Sequence, residues 1–311
     1  MSTAIETPKI RRRAQPRLRT IRREGAGLAL ASPSFLLLGG LSLAPLGLLF
    51  VRSVTSSNGS SFDLEAMQTV LTNQQYRTLM GRSLSTALLV TIVSVAVAWP
   101  VAWAIAKVIQ PKHRTFVLAL VMVPFLTSQL LLIYAMLVLL GAGGPLMNLF
   151  DVLHVANSGD SILYTPWATR VMFIYESISV IVMLLFVASE RIDEDLLAAS
   201  RSMGASRIKS FMTVIWAGSS TALTSAAGIT FVATAGAFAE SAVLGGPRGA
   251  LIGNVIADRL QTGGRADVSA ALAVVLLVLS LICVGILAVV IRRLAHPLRR
   301  ISLDDVDGRA Q

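Results

Sequence analysis

The sequence is short of charge. Only 14% of its 311 residues are Asp, Glu, Lys or Arg, against 54% hydrophobic residues. Soluble domains carry about 25% charged residues, so this chain lacks the polar surface to cover itself in water. With a mean hydropathy of +0.71, the shortage excludes both a soluble globular protein and a largely disordered one. Cysteine is nearly absent. Cys283 stands alone inside an apolar run, which excludes an intrachain disulfide. The three histidines, His113, His154 and His296, are far apart and match no metal-ligand spacing; they read as loop histidines. No convincing internal repeat is visible, although a secondary transporter built from inverted repeats would be expected to show one.

Long apolar runs are abundant. Crossing a hydrocarbon core of about 30 Å takes about 20 helical residues. Six stretches satisfy this, at 28–51, 84–106, 116–140, 167–189, 218–242 and 268–291. They are continuous rather than alternating, and backbone groups in lipid must be satisfied within the segment, so helices are expected rather than strands. The predicted fold class is an all-α polytopic membrane protein. The first span follows a basic tail, as a signal peptide would. However, Gly27 to Val51 exceeds the core of about 7–15 residues typical of a signal and reads as retained. Arg22-Arg23 resembles a twin-arginine signal only faintly, because five further spans follow.

The net charge of +10 is partitioned. If the N-terminus is cytoplasmic, the inside segments are 1–27, 107–115, 190–217 and 292–311, and they hold 20 of the 27 Lys and Arg residues. The positive-inside rule then places both termini in the cytoplasm. The basic excess is a topological feature rather than a nucleic-acid footprint. The expected organisation is a basic tail over 1–27, a six-helix domain over 28–291 containing an inside loop at 190–217, and a cytoplasmic tail over 292–311. The basic tail suits an orienting anchor on anionic lipid.

The inside loop at 190–217 is not a random linker. Ile192, Leu196, Ala199 and Met203 fall on one helical face. Asp193 is a candidate N-cap, with Glu194 and Asp195 in a first turn that favours acids. Gly204 is a helix stop. A second amphipathic stretch follows, carrying Ile208, Phe211, Met212 and Ile215. Two short amphipathic helices meeting at a glycine suit either an interfacial pair lying on lipid or an element docking into a groove of a soluble partner.

The pattern Ala198-Ala199-Ser200, then Gly204-Ala205-Ser206 and Phe211, resembles the EAA loop of permease subunits of bacterial binding-protein-dependent ABC importers. Gly143-Gly144-Pro145-Leu146, Asn148, Leu163-Tyr164-Thr165-Pro166, Leu244-Gly245-Gly246 and Ile252-Gly253-Asn254 resemble the spermidine/putrescine-type branch of that family. The resemblance covers about residues 30–295. It implies the type I importer permease (MetI-like) fold and an inner-membrane location. It also implies cytoplasmic ATP-binding subunits, a second permease subunit in a hetero- or homodimer, and a periplasmic solute-binding protein. On this reading Asp195, Ala198, Ala199, Ser200, Met203, Gly204, Ala205, Ser206 and Phe211 couple the chain to the ATPase. The chain departs from the family where Ala198 replaces the usual glutamate and Ser200 the second alanine. Asp195, three residues before Ala198, lies close on a helix and is a candidate substitute.

The resemblance also implies that ATP binds a partner and that this chain is neither an enzyme nor the holder of a cofactor. Gly204 to Ser210 superficially resembles a P-loop, but Ile208 stands where the glycine before the lysine is required, and no strand precedes it. No serine–histidine or carboxylate pair at membrane depth suggests an intramembrane enzyme. A stand-alone carrier or channel is the alternative, and it leaves the loop unexplained.

Four residues are candidates for a substrate path: Glu176, Gln129, Tyr134 and Glu240. Glu176 lies about 14 Å into the fourth span, where a charge costs about 2.5–3.5 kcal/mol on insertion scales. It reads either as functional or as a protonated pin between helices. Glu240 is nearer the outer end of the fifth span. The acid that the family carries just after a glycine is absent, since Gly236 is followed by Ala237. In the third span Pro124 is expected to kink the helix beside Thr127, Ser128 and Gln129. Thr127 and Ser128 read as packing groups, Gln129 and Tyr134 as path residues. Trp99, Pro100 and Trp103 read as a kink with interfacial anchoring. Two intramembrane acids suit a cationic solute such as a polyamine.

Overall fold

A computed structural model of the chain describes residues 37, 39–41, 43–55, 63–152, 161–192, 194–206, 210–262 and 265–307. Most of the basic tail and the expected N-cap Asp193 lie outside these residues, as do Arg207, Ile208, Lys209 and His154. The chain divides into two units, Met1–Val51 and Arg52–Gln311. A short apolar helix, α1 (Gly39–Ser53), begins in the first and ends two residues into the second.

The second unit is built from helices. They are α2 (Glu65–Thr72), α3 (Gln74–Trp103), α4 (Pro111–Leu126), α5 (Gln129–Leu140), α6 (Pro145–Val152), α7 (Pro166–Glu190) and α8 (Glu194–Ser202). After them come α9 (Ala217–Gly236), α10 (Ala239–Leu244), α11 (Gly246–Gly249), α12 (Ile252–Gln261) and α13 (Ala266–Asp307). Among the described residues, four runs are long and apolar enough to cross a membrane: Gln74–Val108, Gln129–Leu149, Pro166–Glu190 and Ala266–Leu294. Local chemistry sets many boundaries. Asn73 caps α3 by accepting the Gln75 amide at 2.9 Å. Pro111 and Pro166 open α4 and α7, where a missing N–H costs nothing.

Helix α9 is central, packed against α3, α7 and α13, while α3 also lies along α7. Ala98, Ala102, Ala226 and Ala227 are fully or almost fully buried in the cluster joining them. Small residues let helices approach closely, the packing that substitutes for a hydrophobic driving force in lipid. Conversely, α13 exposes Leu281, Ile282, Ile286 and Val289, an apolar surface that suits hydrocarbon rather than water. Helix α13 is 42 residues long and so continues well past the span expected to end at 291.

Two expected spans are not continuous. The third ends at Leu126, passes through extended Thr127 and Ser128, and restarts at Gln129. Pro124 produces more than a kink. The Thr127 hydroxyl donates to the Val123 carbonyl at 2.7 Å, beside the Thr127 amide at 3.0 Å, so the last turn of α4 closes on that one oxygen. The fifth span ends at Gly236, breaks at Ala237 (φ −67°, ψ 143°) and Phe238, and restarts as α10.

At its C-terminal end α3 passes into a π-helical turn over Ala104–Val108, four residues after Pro100. Trp99 is not an interfacial anchor. It is 6% exposed and meets Trp216 edge-on, with centroids 4.8 Å apart at 77°. Trp103 packs against the same cluster. The stretch entering α9 covers this end of α3, so lipid does not reach Trp99.

Candidate functional site

The two helix breaks face each other. Gln129, the first residue of α5, donates from Nε2 to Oε1 of Glu240, the second residue of α10. Beside them opens a cavity of about 330 Å³ lined by Gln129, Phe173, Glu176, Thr230, Thr234 and Glu240, among others. Glu240 is 2% exposed, and its Oε2 has no hydrogen-bond partner among the described residues. Glu176 reaches the same cavity from α7 and lies within electrostatic reach of Glu240. A buried carboxylate with a vacant oxygen carries a desolvation cost that an approaching cation would offset. A larger cavity of about 520 Å³, between α9, α12 and α13, has no acid or base in its lining.

The structure thus brings together Gln129, Glu176 and Glu240. Tyr134 stands apart, 65% exposed and outside the lining, because α5 restarts at Gln129 and turns that position outward. Thr230, Thr234 and Phe173 were not anticipated. Thr230 and Thr234 are one helical turn apart in front of Gly236, a spacing that could have flagged a polar strip leading to the break.

A second layer supports the breaks. Asn254 Nδ2 donates to the Phe238 carbonyl at 2.9 Å. Its Oδ1 accepts from Ser241 Oγ at 2.6 Å and from the Leu251 amide at 2.9 Å. The Tyr164 amide donates to the Leu244 carbonyl at 2.8 Å. Gly246 sits against Tyr164 with φ +58°, and a Cβ there would come 2.8 Å from the Tyr164 carbonyl oxygen.

The other expected site is α8. Gly204, at φ +83°, closes it in a Schellman turn. The Ala205 amide reaches the Ser200 carbonyl at 3.2 Å, and the Gly204 amide reaches that of Arg201 at 2.9 Å. Asp195, Ala198, Ala199 and Ser206 are exposed and Ala205 half-buried. Leu196 is 55% and Met203 63% exposed. Ser200 is buried, its hydroxyl 3.0 Å from that of Ser210. Ile192 departs from the expected face. It precedes the helix and is buried in the main core, while Lys107 Nζ donates to its carbonyl at 2.8 Å. The second amphipathic stretch is not a separate short helix either. From Phe211 to Trp216 the chain makes a π-helical turn that runs straight into α9. No glycine or proline separates them, so nothing stops the helix. The Phe211 side chain lies outside the described residues.

A model of the family described as "binding-protein-dependent transport system inner membrane component" matches residues 113–300. The chain is 31% identical over 188 residues to the spermidine/putrescine transport system permease protein PotB of Escherichia coli (strain K12), covering 60% of this chain and 68% of that one. It is 28% identical over 210 residues to the inner membrane ABC transporter permease protein YdcU of the same strain, covering 64% and 66%. Among solved structures, a bacterial ABC transporter involved in import of the acidic polysaccharide alginate aligns with a TM-score of 0.66 at 16% identity, over 91% of this chain and 98% of that one. The alginate transporter in complex with its alginate pentasaccharide-bound periplasmic protein aligns at 0.65 and 16%, over 93% and 99%. At that identity these two likenesses speak for the fold alone. With more than half of its length matched by the family, the chain belongs to the inner-membrane permease components of binding-protein-dependent ABC importers.

Proposed function

We propose that this permease crosses the membrane six times with both termini in the cytoplasm and imports a small cationic solute of the polyamine class. The spans expected at 28–51, 116–140 and 218–242 complete the set. Of these, the third and fifth span as broken helices, which lipid tolerates only where the freed backbone lines a cavity or is buried in protein. Solute passes between the breaks, meeting Glu176, Glu240 and Gln129. Tyr134, exposed and outside the cavity lining, is not among the residues of this proposed path.

The observation that carries this reading is the vacant Oε2 of buried Glu240 beside a second acid. An ammonium group supplies the counter-charge the cavity lacks. PotB supports the class, being named a spermidine/putrescine permease. The fold does not choose the charge, since the alginate transporter carries an acidic polysaccharide on the same architecture.

Movement is driven from outside the chain. ATP binds and is hydrolysed on separate subunits that seat against α8, where Leu196, Ala199 and Met203 present an apolar surface. Asp195 supplies the acidic contact absent at Ala198. Ala205 and Ser206 continue the surface, and Ser200 and Gly204 shape it. A second permease subunit completes the pathway, and a periplasmic binding protein delivers solute at the outer face, near α2, α6 and α12.

The test is uptake of radiolabelled spermidine by the complete complex in vesicles. Glu240→Gln and Glu176→Gln are each expected to lower it at least tenfold at equal membrane abundance. Uptake within twofold of the parent for both variants removes the cavity from the path.

A further inference from the structure

The Asn254 side chain makes three hydrogen bonds at a place where a cap alone would require one. At the third position of α12, its Oδ1 accepts the Leu251 amide at 2.9 Å, which is half of an ordinary capping box. That role needs nothing from the amide nitrogen. Yet Nδ2 crosses to the Phe238 carbonyl at 2.9 Å, sixteen residues earlier in the chain. Oδ1 also takes the Ser241 hydroxyl at 2.6 Å. Phe238 is the break itself, and Ser241 is the residue after Glu240. The two residues that Asn254 grips in this way bracket the buried acid.

We propose that Asn254 is a positioning residue that holds Glu240 in its solute-facing orientation. It acts through the Phe238 carbonyl and the Ser241 hydroxyl without itself lining the cavity. The proposal rests on the reading of Glu240 as an acid of the solute path. The physical reason is the shortness of α10. Six residues make few internal hydrogen bonds, and a helix so short has little intrinsic stability. Left alone, its first turn would swing and take the Glu240 carboxylate with it. The Phe238 carbonyl already accepts the Ala242 amide at 2.9 Å and lies 3.1 Å from the Ser241 hydroxyl, whose single proton is shared with Asn254 Oδ1. The Asn254 amide adds an anchor at that oxygen from outside α10.

The experiment measures two quantities on the assembled complex in vesicles, spermidine taken up and ATP hydrolysed. Their ratio is the readout, because loss of folding lowers both and leaves the ratio unchanged. Asn254→Ala removes every bond. Asn254→Asp keeps the acceptor for Leu251 and Ser241 but turns a carboxylate oxygen toward the Phe238 carbonyl, so it survives as a second variant should the alanine protein fail to fold. Each is expected to lower the ratio at least fivefold. In a Glu240→Gln background the same change is expected to lower it less than twofold further, since the group being positioned is already altered. A ratio within twofold of the parent in the single variants overturns the proposal, as does full multiplication of the two effects. Glu240→Gln alone reports separately on the underlying reading. If it leaves uptake unchanged, that reading fails and the positioning role falls with it.

Discussion

Gln129 and Glu240 are 111 positions apart, yet each follows a helix break and their side chains are hydrogen-bonded. This bond ties the restart of the third span to the restart of the fifth, on the wall of the acidic cavity. It satisfies one carboxylate oxygen and leaves the other open.

Removing Gln129 therefore exposes the cost of that arrangement. Gln129→Ala leaves a buried carboxylate with neither oxygen partnered, a penalty of about 1–3 kcal/mol. The detergent-solubilised protein is expected to unfold at lower temperature than the parent. Combining Gln129→Ala with Glu240→Gln is expected to recover part of the loss, because the neutral amide is cheaper to bury. A thermal-shift series on the four proteins reads this double-mutant cycle, and additive shifts would contradict it.

The exposed apolar surface of α8 predicts a loss of partner without a loss of fold. Leu196→Asp and Met203→Asp replace side chains that stand in water in the isolated subunit, so thermal stability is expected to move by about 0.5 kcal/mol or less. Co-purification of the ATPase subunit is expected to fall at least tenfold. Asp195→Asn is expected to reduce solute-stimulated ATP hydrolysis severalfold. Unchanged stimulation returns the question of the missing glutamate at Ala198 to other residues.

Gly204 holds its Schellman turn at φ +83°. A residue with a Cβ pays about 1–2 kcal/mol to sit there, so Gly204→Ala is expected to loosen the end of α8 and weaken ATPase association. Asn tolerates the left-handed region better, and Gly204→Asn is expected to fall between the two. If alanine and glycine bind the ATPase equally well, the turn is not what shapes the docking surface.

Gly246 combines a left-handed φ of +58° with direct contact against the Tyr164 backbone. Gly246→Ala faces strain and collision together, and a loss above about 2 kcal/mol is expected. Since Tyr164 and Leu244 share a backbone hydrogen bond at 2.8 Å, the damage should spread to α10. Limited proteolysis of the outer loops, expected to become faster, reads this.

Most of the helical inventory was legible in the sequence because apolar runs of membrane length have few alternatives in lipid. The stop at Gly204 was equally legible, being a local matter of one residue lacking a Cβ. The break at 127–128 was half legible. Pro124 announced a disturbance but not a restart at Gln129. The break at 237–238 was invisible, because its support comes from Asn254, which lies in another helix. Trp99 was misplaced for the same reason: an aromatic near a span end resembles an anchor until a partner such as Trp216 covers it.

The sequence alone determined the membrane class and the family resemblance, and it supplied the expected topology. Those follow from hydrophobic length, the one-sided distribution of Lys and Arg, and short motifs whose chemistry is local. Tertiary structure decided which candidates share a cavity. It places Gln129, Glu176 and Glu240 in one lining with Tyr134 outside it, and gives one oxygen of Glu240 no hydrogen-bond partner among the described residues. Burial and partnership of a polar group depend on what distant segments bring to it, and here those segments meet at two interruptions that only packing against α7 and α12 can sustain.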